Sequence, residues 1–202
     1  MSEKIHTSTT ETAQRLLDLL KHRRSFALKE LTADVIDPSY IELMLEAANW
    51  APSHGQTEPW RFTVFSGTGR AELGHAFAEA YQLITPPEKF DANGHKAQAD
   101  RVWQASVWIS LGLTPHPTAN MPMWEEMSAV AAAVQNMHLM GSALNLACKW
   151  TSGAVVRHDS VTQFVGLQPP SQLLGFLYVG QPALAWPQGA RQPVAEKVRW
   201  VR

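Results

Sequence analysis

Residues 124–149 read WEEMSAVAAAVQNMHLMGSALNLACK, and this stretch constrains the fold more than any other. It is rich in alanine and methionine, contains no proline, and is apolar on most of its circumference. Such a run is a strong helix former. A helix that is apolar on nearly all sides has to be buried, in a core or between subunits. A chain of 202 residues with 45% hydrophobic side chains can bury it inside one domain.

The flanking segments supply the rest of such a core. ASVWISLGL at 105–113 is fully apolar and suits a central strand. SQLLGFLYVGQP at 171–182 is a second strong strand, and WRFTVFSG at 60–67 a shorter one. TAQRLLDLLKHRRS places Ala13, Leu16, Leu17 and Leu20 on one helical stripe. A second helix is capped by Asp37, opens with Pro38, buries Ile41, Met44, Leu45 and Ala48, and is stopped by Pro52 and Gly55. GRAELGHAFAEAYQLI at 69–84 predicts a third helix, and HDSVTQFVGL a short one capped by Asp159 or Ser160. Residues 85–100 read as a loop or a mobile lid, and 114–123 as another loop. WTSGAVV at 150–156 reads as a turn or short strand, and the basic tail from 185 as irregular. Helices and strands without strict βαβ alternation favour an α+β fold, one domain over 1–202 with a flexible N-terminus at 1–10.

Composition removes several function classes. Formal net charge is −1, so there is no basic footprint for nucleic acid. No apolar run reaches about 18 residues, and no polybasic arm is present, so a membrane partner is not expected. The start, MSEKIHTSTTE, lacks the apolar segment of a signal peptide. Cys148 is the single cysteine, which fits a reducing compartment and a cytoplasmic protein. In its apolar setting Cys148 reads as core rather than nucleophile, as do Met137 and Met140. The histidines include no H-x-x-x-H pair, so no metal site is expected, and no G-x-S-x-G elbow appears. In SGTGRAELG the third glycine of a dinucleotide fingerprint would fall on Glu72, so a plain strand-to-helix turn is expected.

Three stretches carry chemistry. Arg23, Arg24 and Ser25 follow a helix; they can grip a phosphate through guanidinium forks and a hydroxyl, or simply complement a helix C-terminus. WAPSHGQTEPWRF at 50–62 sets Trp50, His54, Gln56 and Glu58 in a loop broken by prolines and glycine. The loop can present donors and acceptors to a planar ring edge, or its tryptophans can plug the core. WTSGA at 150–154 is a turn in which Gly153 permits close backbone approach or an unusual backbone angle.

RRS, then A-P-x-H before PW, then W-x-S-G after the long helix, then LLGFLYVGQPA, stand in that order between about Leu16 and Trp200. Together they resemble the nitroreductase family of FMN-dependent oxidoreductases, in its small single-domain branch. The resemblance implies a central antiparallel or mixed sheet flanked by helices, in an intertwined homodimer with FMN at the interface. The tail at 183–202 would cross to the partner. Arg23, Arg24 and Ser25 would hold the phosphate and ribityl chain, with Arg191 completing the phosphate site. Trp50, His54 and Gln56 would line the isoalloxazine and its pyrimidine edge. Trp150, Thr151, Ser152 and Gly153 would pass the flavin N5 side. NADH or NADPH would supply hydride and a small oxidised acceptor would take the electrons, by a ping-pong mechanism with no catalytic side chain. The alternative is a flavin-binding protein of the same fold with a flavin-consuming, dehalogenating or regulatory role. Two departures stand out. Ala27 occupies a position where many relatives carry a cation, and Gln56 and Glu58 stand where many carry Asn and Gln.

Overall fold

The structure, a computed structural model, describes residues 9–202. Most of the expected flexible N-terminus lies outside the described residues; Thr9 and Thr10 already belong to helix α1, Thr9–His22. The leucine stripe of α1 forms as predicted, yet no residue of the helix is buried: Leu16, Leu17 and Leu20 are 55%, 43% and 42% exposed. After a short strand β1, Leu31–Thr32, helix α2 spans Pro38–Asn49. Asp37 caps it by accepting from the Ser39 amide at 2.9 Å, and Ile41, Met44 and Ala48 are buried.

The single strand expected at 60–67 is two short ones, β2, Trp60–Arg61, and β3, Val64–Ser66. The Ser110 hydroxyl accepts from the Thr63 amide at 2.8 Å and so fills the gap in the ladder between them. Helix α3, Arg70–Ile84, follows, after a strand-to-helix turn as expected. The loop or mobile lid expected at 85–100 is instead largely helical: α4 spans Ala92–Asp100. Asp91 caps it through the amides of Asn93 and Gly94, and α4 packs on α3 so closely that a Cβ on Gly74 would meet the Ala99 carbonyl at 2.5 Å. Capping and tertiary packing override a polar, glycine-containing sequence.

Strand β4, Val107–Leu113, is buried along its whole length. The long helix α5 spans Met123–Ala143, shorter than the 124–149 its sequence suggests. Asn145 takes a left-handed φ of 56° and turns the chain, and residues Ala147–Thr151 become strand β5. The free edge of the last strand supplies hydrogen bonds that a longer helix would leave unused. Cys148 therefore sits in β5, still buried, with its thiol pushed up to about 12 by burial. Helix α6, Asp159–Phe164, is capped by the His158 imidazole, which accepts from the Ser160 amide at 3.2 Å, rather than by Asp159 or Ser160. Strand β6, Gln172–Pro182, closes the sheet.

The sheet runs β1-β6-β4-β2, with β3 also on β4 and β5 also on β6, every strand pair antiparallel. Alternation along β4 sends Val107, Ile109, Leu111 and Leu113 to a core under α2 and α5, while Trp108 enters a second core with Phe77 of α3 and Phe176 of β6. In β6 the register against β4 slips between Ser110 and Gly112, where Gly175 has a φ of 128°. That bulge lets Leu173 and Phe176 share one face although they are three residues apart. This is the expected α+β fold.

Candidate functional site

α1 stops at His22, and Ser25 then lies beside β5 in a parallel bridge to Cys148, with the Phe26 amide donating to the Cys148 carbonyl at 3.2 Å. The Arg23 Nη1 donates to the Ser25 hydroxyl at 3.4 Å. Burial, and then the charges of Arg191 and Arg24, lower the pKa of the Arg23 guanidinium. None of these three arginines takes part in an ion pair found among the described residues. These guanidiniums are not ion-paired among the described residues, although Asp18 lines the cleft shared by Arg24 and Arg191, and together they form a positive concavity suited to an anion. His138 of α5 faces the same cluster. Burial, and then Arg23, pushes its pKa down to about 4. The His138 Nδ1 and, one turn on, the Ser142 Oγ are buried without a partner.

The second arginine of the motif behaves differently from the first. Arg24 donates from Nε to the Pro187 carbonyl at 2.9 Å, and from Nη1 to the carbonyls of Lys21 at 2.5 Å and Arg23 at 2.8 Å. A cleft of 590 Å³ lies beside it, lined by Asp18, Lys21, His22, Gln188 and Arg191.

β5 leads from the Ser25 contact to the Thr151–Gly153 turn, three residues and about 10 Å further on. Because the turn after α5 is tight, β5 runs back along that helix. Trp150 is half-buried and donates from Nε1 to the Leu174 carbonyl at 3.0 Å. Gly153 does not adopt the unusual backbone angle its sequence allows, but the space a Cβ would enter there is open. The glycine that close approach requires is Gly175 of β6: a side chain there would fall on the Thr151 carbonyl oxygen.

The loop at 50–58 is held in a strained shape. Gly55, Gln56 and Glu58 have φ of 65°, 55° and 44°, left-handed values that cost non-glycine residues about 1 kcal/mol or more each. Side chains impose that shape. His54 Nδ1 pairs with the Glu125 carboxylate, the Thr57 hydroxyl donates to Glu126 at 2.9 Å, and the Ser53 hydroxyl accepts from the Glu58 amide at 3.2 Å. Glu126 is 2% exposed and its second oxygen has no partner. Trp60 is buried and bonds Asn49, whereas Trp50 is 80% exposed and bonds Glu46 at 2.7 Å. One cleft of 420 Å³ is lined by Trp50, Pro52, Gln56 and Glu58, and another of 480 Å³ by His54, Trp124 and Ser128.

The structure thus gathers Arg23, Ser25 and Arg191 at one place, with Trp150 to Gly153 nearby along β5. It sets Trp50, His54 and Gln56 apart. His54 meets α5 at Glu125 and Arg23 faces it at His138, so about 20 Å of helix separates them. Sequence reasoning missed Glu125, Glu126, His138 and Gly175.

The chain matches the Nitroreductase family over residues 20–181. It belongs to that family. Bacillus subtilis strain 168 has a protein named "Putative NAD(P)H nitroreductase YfhC" that is 27% identical over 198 residues, covering 97% of this chain and 96% of its own. A crystal structure of a nitroreductase-like family protein from Bacillus cereus superposes with a TM-score of 0.78 at 25% identity, covering 99% of both chains. The FMN-dependent nitroreductase NfnB from Mycobacterium smegmatis, solved in complex with NADPH, has a TM-score of 0.71 at 19% identity over 95% of this chain and 100% of its own, and shares the fold. Among the described residues of the present protein no cluster could hold a metal ion, and no helix is long and apolar enough to cross a membrane.

Proposed function

We propose that this oxidoreductase holds FMN by its phosphate at Arg23 and Arg191, takes hydride from NADH or NADPH, and passes electrons to small oxidised acceptors such as nitro compounds or quinones in a ping-pong cycle. The observation that carries the reading is the set of guanidiniums at the end of α1 that form no ion pair among the described residues. A phosphomonoester dianion is the complement such a cluster lacks. Family membership, and the name of the Bacillus subtilis relative, support the nicotinamide donor.

Bound flavin supplies the hydride chemistry itself. The chain's own task is to bind, orient and exclude water. Arg23 and Arg191 offset the phosphate charge, and the Ser25 hydroxyl donates to it. The turn at Thr151, Ser152 and Gly153 lies open along β5, where a flat ring can lie with its polar edge on backbone amides. Trp150, tied to the Leu174 carbonyl, walls that side.

The loop residues Trp50, His54 and Gln56 sit too far along α5 to meet the same flavin from the same chain. We assign them to the flavin of a second copy. The exposed stripe of Leu16, Leu17 and Leu20, together with Trp50 and the 67%-exposed Trp124, supports a homodimer that covers them. Residues 186–189 of the tail are bound to their own chain, so only the part beyond Arg191 is left to reach a partner. The reduced thiol of Cys148 fits a cytoplasmic setting.

The test is titration of flavin-free protein with FMN, then anaerobic addition of NADH or NADPH, then an acceptor. Binding with quenched flavin fluorescence, bleaching by the nicotinamide and re-oxidation by nitroaromatic or quinone are expected, with parallel double-reciprocal plots. A protein that ignores added FMN overturns the reading. Light scattering at the mass of one chain overturns the shared site.

A further inference from the structure

The tail from Trp186 to Arg191 has no regular secondary structure, yet it is fastened to the end of α1 at three points. The Trp186 indole stacks on the His22 ring at 4.6 Å and 8° and meets Phe26 edge-on at 4.9 Å. Its Nε1 donates to the His22 carbonyl at 2.7 Å. Arg24 reaches across to the Pro187 carbonyl while its Nη1 ties back to Lys21 and Arg23. At Gly189 the tail crosses so near this guanidinium that any Cβ would fall on it.

We propose that Arg24, Trp186 and Gly189 form a latch that positions Arg191 beside Arg23, and that Arg24 is a positioning residue rather than a phosphate ligand. The proposal rests on the FMN reading above and revises the role that the RRS motif suggests for its second arginine. Three of the five guanidinium donors of Arg24 are spent on carbonyls, and its remaining nitrogen packs against Gly189, so no two-pronged edge is left for phosphate. The physical need for a latch is plain. Arg23 and Arg191 repel one another, and an unrestrained tail would carry Arg191 into solvent whenever the anion is absent. Fixing the tail beforehand removes that ordering cost from the binding step.

The test uses flavin-free full-length protein, its thermal melt checked for each variant. Trypsin cleavage after Arg191 reads the latch without any flavin: Arg24→Ala and Trp186→Ala are expected to speed it by about tenfold, as expected for local release of a tail from packed contacts. FMN and riboflavin titrations read the consequence. Each variant is expected to weaken FMN by about tenfold and leave riboflavin, which has no phosphate, unchanged. In an Arg191→Ala background Arg24→Ala is expected to add nothing, because the two act as one unit. Additive losses would make Arg24 a direct phosphate ligand and overturn the proposal, as would unchanged cleavage in both variants. Should Arg24→Ala fail to fold, Trp186→Ala and Gly189→Ala carry the same comparison. Wild-type protein that binds no FMN overturns the flavin reading instead, and the cleavage rates still decide the latch.

Discussion

The two ends of α5 solve opposite problems. At the His138 end, cations gather without an ion pair among the described residues, and the neighbouring polar atoms of His138 and Ser142 have no partner. At the Glu125 end, acids hold the loop side chains in pairs, and the strain lies in the backbone. The first end is electrostatically incomplete and waits for a ligand. The second pairs its acids with loop side chains, leaving one Glu126 oxygen unpartnered, and its strained shape is the thing it offers. Variants of the arginines at the first end should therefore change ligand affinity, and variants at the second should change stability.

The largest expected effect on ligand affinity is at Arg23. Arg23→Ala should weaken FMN by about 100-fold, the loss of a charge-assisted phosphate contact, with little change in riboflavin affinity or in the melt of flavin-free protein. A large drop in the melt would show the arginine to be structural and dissolve the contrast. Next comes pH. His138 binds its proton less readily when folded, at about 4 against an ordinary 6.5. The unfolded chain therefore takes up more protons as pH falls, so this contribution is fully present above 6.5 and is lost between 6.5 and 4. The loss is about 3 kcal/mol by linkage. Urea unfolding of flavin-free protein across that window should show it, and His138→Gln should flatten it.

At the loop end, Thr57→Val should cost about 2 kcal/mol, because it strips the buried Glu126 of its hydrogen-bond donor. Pairing it with Glu126→Leu should recover most of that loss, which calorimetry on the single and double variants can check. Smallest is Gly55→Ala, about 1 kcal/mol for a side chain placed at a φ of 65°. For both loop variants the ratio of FMN to riboflavin affinity should stay at the wild-type value. A shift in that ratio would mean the loop senses the phosphate, and the division of labour would fall.

Much of the frame was legible because its signals are local. The Asp37 cap, the buried run of β4 and the stripe of α1 each follow from a few neighbouring residues. The errors fell where a distant partner decided the outcome. Residues 92–100 are helical because α3 receives them, and 147–151 leave the helix because β6 has a free edge. The chemistry-bearing stretches were legible as candidates, but their grouping was not. Nothing in the sequence says that Arg23 and His54 lie at opposite ends of one helix, or that Arg24 faces the tail.

Composition and periodicity alone pointed to an α+β fold around an alanine-rich helix, which buries one face, and motif order alone pointed to its family. Tertiary structure decided which charges stand together. Groups separated by more than a hundred residues, such as the Arg24 guanidinium and the Pro187 carbonyl, meet only once the sheet has brought α1 and the tail to one edge. Electrostatic and hydrogen-bond energies depend on that distance through space, and local sequence spacing carries no record of it.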